Sequence, residues 1–176
     1  MPDEVKASRA YATLSVVLSR QLGTDAYRET LNALVKSHGE DKELQFILID
    51  HYFMAEQYEK ALAAIAAAEQ ELGADEVMSA QRCAALIGMQ SYQDALVACD
   101  RALAIDPTFD TALWTRVRLG LTSKDAELVV ASLERVEEAT GTPIDYDELS
   151  QGEAYAWVRE QEPFKEKLRA TLNSAQ

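Results

Sequence analysis

The sequence predicts an all-α fold, a stack of antiparallel helix pairs, and three observations lead there. Residues that stop helices recur at one interval: Gly39, Gly73, Pro107 and Gly141 lie 34 residues apart. Apolar positions keep the same interval. The composition also favours helix: alanine, leucine and glutamate abound, while 176 residues hold only 7 glycines and 4 prolines. Glycine ends a helix by turning left-handed and proline by blocking its continuation. Four such residues in register divide the chain into units of equal length.

The apolar beat fills in the elements. Tyr27, Ala61, Ala95 and Val129 form one set, and Leu31, Ile65, Cys99 and Leu133 a second. Leu34, Ala68, Ala102 and Val136 form a third. Successive sets are offset by four and then three residues, which is one stripe on a helix. Small residues recur at Ala61/Ala95 and Ala68/Ala102, where they let two helix axes approach closely. Each unit therefore predicts two helices: 9–22 and 25–38 in unit 8–41, and 42–55 and 58–72 in unit 42–75. Unit 76–109 gives 76–89 and 92–105, and unit 110–143 gives 110–122 and 125–140. Turns this short force neighbouring helices antiparallel. One hairpin cannot bury its apolar face, but four stacked ones can. Residues 144–176 leave the repeat. There, 147–160 and 163–172 predict two further helices, the second opened by Pro163, whose polar faces suit a cap on the last unit.

Charge and composition exclude several functions. Hydrophobic residues make up 48% of the chain, enough for a real core. The net charge is -13, and an acidic surface repels phosphate backbones and anionic lipids. Neither nucleic acid nor a membrane surface is expected as a partner. The acidity is uneven, zero over 8–41 and -5 over 42–75. The longest apolar run, 61–68, is mostly alanine and too short to span a bilayer. The opening MPDEVKASRA lacks the basic and apolar regions of a signal peptide, so a cytoplasmic chain is the default expectation. A removed leader or a larger parent chain is the other reading.

Reactive residues are few. His38 falls in a helix's last turn, where a cation favours the dipole, and His51 lies on a first helix; no metal-ligand spacing joins them. Cys83 and Cys99 occupy apolar slots on the two helices of one hairpin, 16 residues apart. They are expected to face each other in the core as small hydrophobes, being too few for a disulfide framework; a redox pair is the lesser reading. Asp145, Asp147 and Glu148 form a helix-start charge cluster, since the glycine and closing glutamate of a calcium loop are missing. No phosphate-binding loop or nucleophile elbow occurs. The expectation is a chain with no catalytic residue, cofactor or metal, and no enzymatic activity.

The segment 92–107 carries Tyr92, Ala95, Cys99, Ala102, Leu103 and Pro107 and closes on A-L-x-x-D-P. It resembles the second-helix signature of the tetratricopeptide-repeat family. Tyr52, Tyr58, Ala61, Ile65 and Ala68 of the preceding unit fall in the same slots. The likeness spans about residues 8–143, and the outer units depart from it. Tyr27 fills an alanine slot, and Gly120 stands where an aromatic or leucine is usual. In the first helices, Gln45 and Ser79 replace the aromatic, and Arg82 and Arg116 the leucine. Tyr155, Trp157, Pro163 and Phe164 resemble the ending of some bacterial members of the family.

The resemblance implies a right-handed superhelical stack, a tetratricopeptide-like α-solenoid with C-terminal capping helices, whose first helices line a concave face. It places there the second, fifth, ninth, twelfth and thirteenth residues of each unit. The candidate partner-binding residues are then Phe46, Asp50, Phe53, Met54, Ile87, Trp114, Arg118 and Leu121. Members that clamp chaperone tails use Lys, Asn or Arg at slots held here by Phe46, Asp50, Ala80 and Ala84, so that ligand is not expected. The implied function is a scaffold or adaptor holding a segment of another protein in an apolar groove, with Asp50 and Arg118 fixing its register. The alternatives are terminal helices folded back over these side chains, or a register shifted by one that places them in the core. The rival reading is a structural domain whose groove packs against its own longer chain or, as a homodimer, against a second copy.

Overall fold

The computed structural model describes residue 16 and residues 24–38 and 45–174. Among them every regular element is a helix. The chain divides into two compact units, 1–74 and 75–176.

The first unit contains α1 (Thr24–His38), α2 (Gln45–Met54) and α3 (Tyr58–Leu72), each packed on the next. Val16, Leu31 and Leu34 form a core with Tyr27, Ile47 and Met54 against it. On α3 the inward stripe is Ala61, Ala64, Ile65 and Ala68, all buried. The expected helix 9–22 and the stop at Gly39 lie outside the described residues, apart from buried Val16.

The second unit holds α4 (Glu76–Gly88), α5 (Tyr92–Ile105), α6 (Asp110–Ser123) and α7 (Ala126–Thr140). These pack in sequence, and α4 also packs directly on α6. From α3 through α7 every helix end falls within one residue of the sequence expectation. Gly73 and Gly141 cap α3 and α7 with φ of 83° and 66°, and Pro107 follows the end of α5. Asp75 and Asp125 open α4 and α7 by accepting hydrogen bonds from the N–H groups of Met78 (2.7 Å) and Leu128 (2.9 Å).

The turns inside the hairpins repeat too. Glu56, Gln90 and Lys124, spaced by 34, are left-handed with φ of 55°, 61° and 59°. The next N–H, of Gln57, Ser91 or Asp125, donates to the carbonyl of Tyr52, Leu86 or Gly120 at 2.8, 2.9 and 3.0 Å. Each turn is a Schellman closure. An L-residue in this conformation costs about 1–2 kcal/mol, offset here by carbonyls that would otherwise lack partners.

Arg116, in the slot where the resemblance leads one to expect leucine, ties three helices together. Its Nε donates to Asp100 of α5 at 3.0 Å and its Nη1 to Ser132 of α7 at 2.8 Å. Arg135 reaches the same Asp100 oxygen at 3.3 Å. The aliphatic stem packs while the head group is paired, so an arginine serves at a leucine position.

Two expectations are corrected. Residues 147–160 are not one helix: α8 (Tyr146–Ser150) is followed by two single 3-10 turns, Glu153–Tyr155 and Val158–Glu160, and then α9 (Glu162–Ser174). Gly152 is extended, with ψ at 136°, and breaks the run. The breaks bring Tyr146, Val158 and Phe164 all into one core, where each is buried. The second correction concerns Cys83 and Cys99, which are joined by a disulfide. Both point inward from facing helices with Cα atoms 5.2 Å apart, inside the range a disulfide spans.

Tyr146 gives a prediction. Its hydroxyl is buried and finds no hydrogen-bond partner among the described residues. Burial first, then the charges of Glu137 and Glu134, push its pKa well above the usual 10.0. The folded form holds the proton more tightly than the unfolded chain does. This contribution is therefore constant below pH 10.0 and is lost as pH rises further. Stability is expected to fall above that pH, and less steeply in Tyr146→Phe. At neutral pH the substitution should cost under about 0.5 kcal/mol, because no bond is lost. Urea midpoints across pH 7 to 11 check both statements; an unchanged slope in the variant sinks the assignment.

Candidate functional site

Exposure along α4 and α6 shows which faces are free. On α4, Ala80, Cys83 and Ile87 lie on one buried stripe, at spacings of three and four. Val77, Ala84 and Gly88 lie on another; Val77 is 40% exposed, Gly88 exposed and Ala84 half-buried. On α6 the corresponding residues, one repeat later, are Thr111, Arg118 and Thr122, all exposed. Trp114 joins them at 39% exposure. Among the described residues Arg118 has no ion pair. The free face of the second unit therefore offers an indole, a valine and an unpaired guanidinium on two helices packed together.

The candidate residues divide accordingly. Trp114 and Arg118 stand on the open face. Ile87 does not: it is 7% exposed and belongs to the core around Cys83, Ala95, Cys99 and Leu119. Leu121 is half-buried against the neighbouring core cluster. The reason is rotation. The twelfth residue of the unit lies four after the inward-facing eighth and so turns inward with it, while the ninth and thirteenth turn outward.

In the first unit Asp50 accepts a hydrogen bond from the Tyr27 hydroxyl at 2.9 Å, so its carboxylate is engaged between α1 and α2. That explains a tyrosine in the alanine slot, since its hydroxyl reaches the next helix. Phe53 is half-buried with its ring edge-on to Tyr58 at 6.2 Å. Met54 packs against the Leu31–Leu34 core. Phe46 lies on α2, but its side chain is outside the described residues. His51 is half-buried beside Tyr52, and burial and then nearby Lys60 lower its pKa.

A second aromatic site went unnoticed in the sequence. Lys124, the left-handed residue that ends α6, sets its ammonium 4.8 Å from the Trp157 ring centre. A lysine and a tryptophan 33 residues apart give no local signal of this contact.

Among the described residues no helix is long and apolar enough to cross a membrane. Nor does any cluster of His, Cys, Asp and Glu there have the makings of a metal site. Compared with known proteins, the chain matches no family model, no curated protein and no solved structure.

Proposed function

We propose that the chain is a protein-interaction module of the tetratricopeptide kind: hairpins stacked in a right-handed superhelix that hold a segment of another protein and catalyse nothing. The 34-residue recurrence of the hairpin turns at Glu56, Gln90 and Lys124 supports the repeat reading. The observation that carries the function is Trp114, a tryptophan 39% exposed beside Arg118, which has no ion pair among the described residues. Large aromatics and arginine are enriched at interface centres, and an exposed indole is otherwise unfavourable. The partner segment lays an apolar side chain against Trp114 and Val77 and presents a carboxylate to Arg118. Asp50, tied to Tyr27, holds α1 and α2 together.

Selection of binders from a random peptide display library, followed by calorimetry of the winners, tests this. Trp114→Ala is expected to weaken binding by about 1 kcal/mol or more, roughly fivefold or more, and Arg118→Glu to do the same for carboxylate-bearing winners. Arg118→Glu should leave Tm nearly unchanged, since that side chain is exposed, and Trp114→Ala should cost less than truncating an enclosed ring does, since Trp114 is 39% exposed. Winners indifferent to both substitutions place the site elsewhere. Sedimentation of the free protein decides the rival: a dimer that Trp114→Ala dissociates makes this face a contact with a second copy.

A further inference from the structure

We infer that the disulfide between Cys83 and Cys99 is a folding staple, formed before the hairpin α4–α5 closes, and that the chain therefore matures in contact with a thiol–disulfide oxidant. The slots these cysteines occupy recur in the neighbouring hairpins. They hold Ile49 and Ile65 one repeat earlier, and Val117 and Leu133 one repeat later. All six residues are at most 1% exposed. At the centre of every other described hairpin the slots carry branched aliphatic side chains, and here alone they carry two sulfurs.

Outside these slots the hairpin buries three large apolar side chains, Met78, Ile87 and Leu103. Its other buried positions are small: Ser79, Ala80 and Ala85 on α4, and Ala95, Ala98 and Ala102 on α5. The covalent bond adds to that burial. It closes a loop of 16 residues and so removes conformations from the unfolded chain.

The chemistry is thiol–disulfide exchange. The thiolate of one cysteine attacks a sulfur of an external low-molecular-weight or protein disulfide. A mixed disulfide forms and one thiolate leaves. The second cysteine's thiolate then attacks the protein sulfur of that mixed disulfide and expels the other external thiolate. The two protein thiols are oxidised, the external disulfide is reduced to two thiolates, and the two protons of the protein thiols pass to those thiolates. Both cysteines are 0% exposed in the folded state, so the external partner cannot reach them there. Exchange must precede packing, and once packed the bond is shielded from reductants. A compartment held reducing by a thiol pool does not suit such a bond, which sets this inference against the cytoplasmic expectation.

The test uses the full chain from its native host, lysed in excess alkylating agent without reductant. Digestion and mass spectrometry are expected to give the peptides of Cys83 and Cys99 joined and unalkylated. Both cysteines recovered alkylated would overturn the inference. Oxidised wild type should keep its bond in millimolar reductant until denaturant is added; rapid reduction of the folded protein contradicts formation before packing. Melting then compares oxidised wild type, wild type reduced in denaturant and refolded under reductant, and Cys83→Ala/Cys99→Ala. The last two are expected to lie about 5–10 °C below the first. Cys83→Val/Cys99→Leu, which copies the pair from the next hairpin, should recover part of that loss. Equal melting of oxidised and reduced wild type means the bond is no staple.

Discussion

Phe164→Ala is expected to destabilise the second unit by about 3–5 kcal/mol, as truncating a fully enclosed aromatic ring does. Phe164 is 0% exposed and heads the fully buried side chains by size. Its ring meets Tyr146 edge-on at 5.4 Å and lies 6.1 Å from Tyr155. Three pieces of broken chain, α8, the 3-10 turns and α9, converge on that ring, with Tyr146 and Val158 buried in the same cluster. Lys167 adds one salt bridge to Glu134 of α7 at 2.7 Å, but it is partly exposed and contributes at most about 1 kcal/mol. Loss of the ring should therefore release the whole C-terminal segment from α7. The expected readings are a Tm lower by about 10 °C or more and loss of amide-exchange protection in 146–174 before α4 and α5 lose theirs. Unchanged protection would show that something other than Phe164 docks the cap.

How much of this was legible in the sequence follows from which forces are local. Helix stops and apolar stripes act over one or two turns, and Gly73, Pro107 and Gly141 lie one or two residues past helix ends in the structure. The left-handed residues Glu56, Gln90 and Lys124 were illegible, because a turn imposed by packing accepts side chains that do not prefer it. The candidate face was half legible. Trp114 and Arg118 are open, but a candidate list carried over by position cannot fix the rotation of a helix, and Ile87 turned inward with Cys83. The cysteine pair shows the remaining limit. Its spacing placed both residues inside one hairpin, but bonding depends on the 5.2 Å between their Cα atoms, a distance set by how closely the helices approach.

Close approach also explains the residue that fitted the repeat least, and it leads to the second large effect. A methyl group built on Gly120 would lie 2.8 Å from the backbone nitrogen of Val129, 2.9 Å from its Cγ2 and 3.1 Å from its Cα. Two of these are backbone atoms that cannot swing aside. The same two slots in the preceding hairpin hold Leu86 on the first helix and Ala95 on the second, packed in one cluster. One pair sets a large first-helix residue against a small second-helix one, and the other reverses the sizes. Gly120→Ala is accordingly expected to cost about 2–3 kcal/mol, although it removes a helical glycine whose replacement would otherwise gain up to about 1 kcal/mol. Ala95→Leu, with Leu86 left in place, should cost about 1–3 kcal/mol for the same reason. Val129→Ala alone should lose about 2 kcal/mol by leaving a cavity. The decisive variant is Gly120→Leu/Val129→Ala, which recreates the α4–α5 pair between α6 and α7. If size complementarity governs the slot, the double variant recovers most of what Gly120→Leu loses, with a coupling of about 1–3 kcal/mol between the sites. Denaturant midpoints for the four proteins of that cycle measure the coupling. Losses that simply add would mean that each helix is held at its own distance by other contacts, and that the exchange of sizes between the hairpins is incidental.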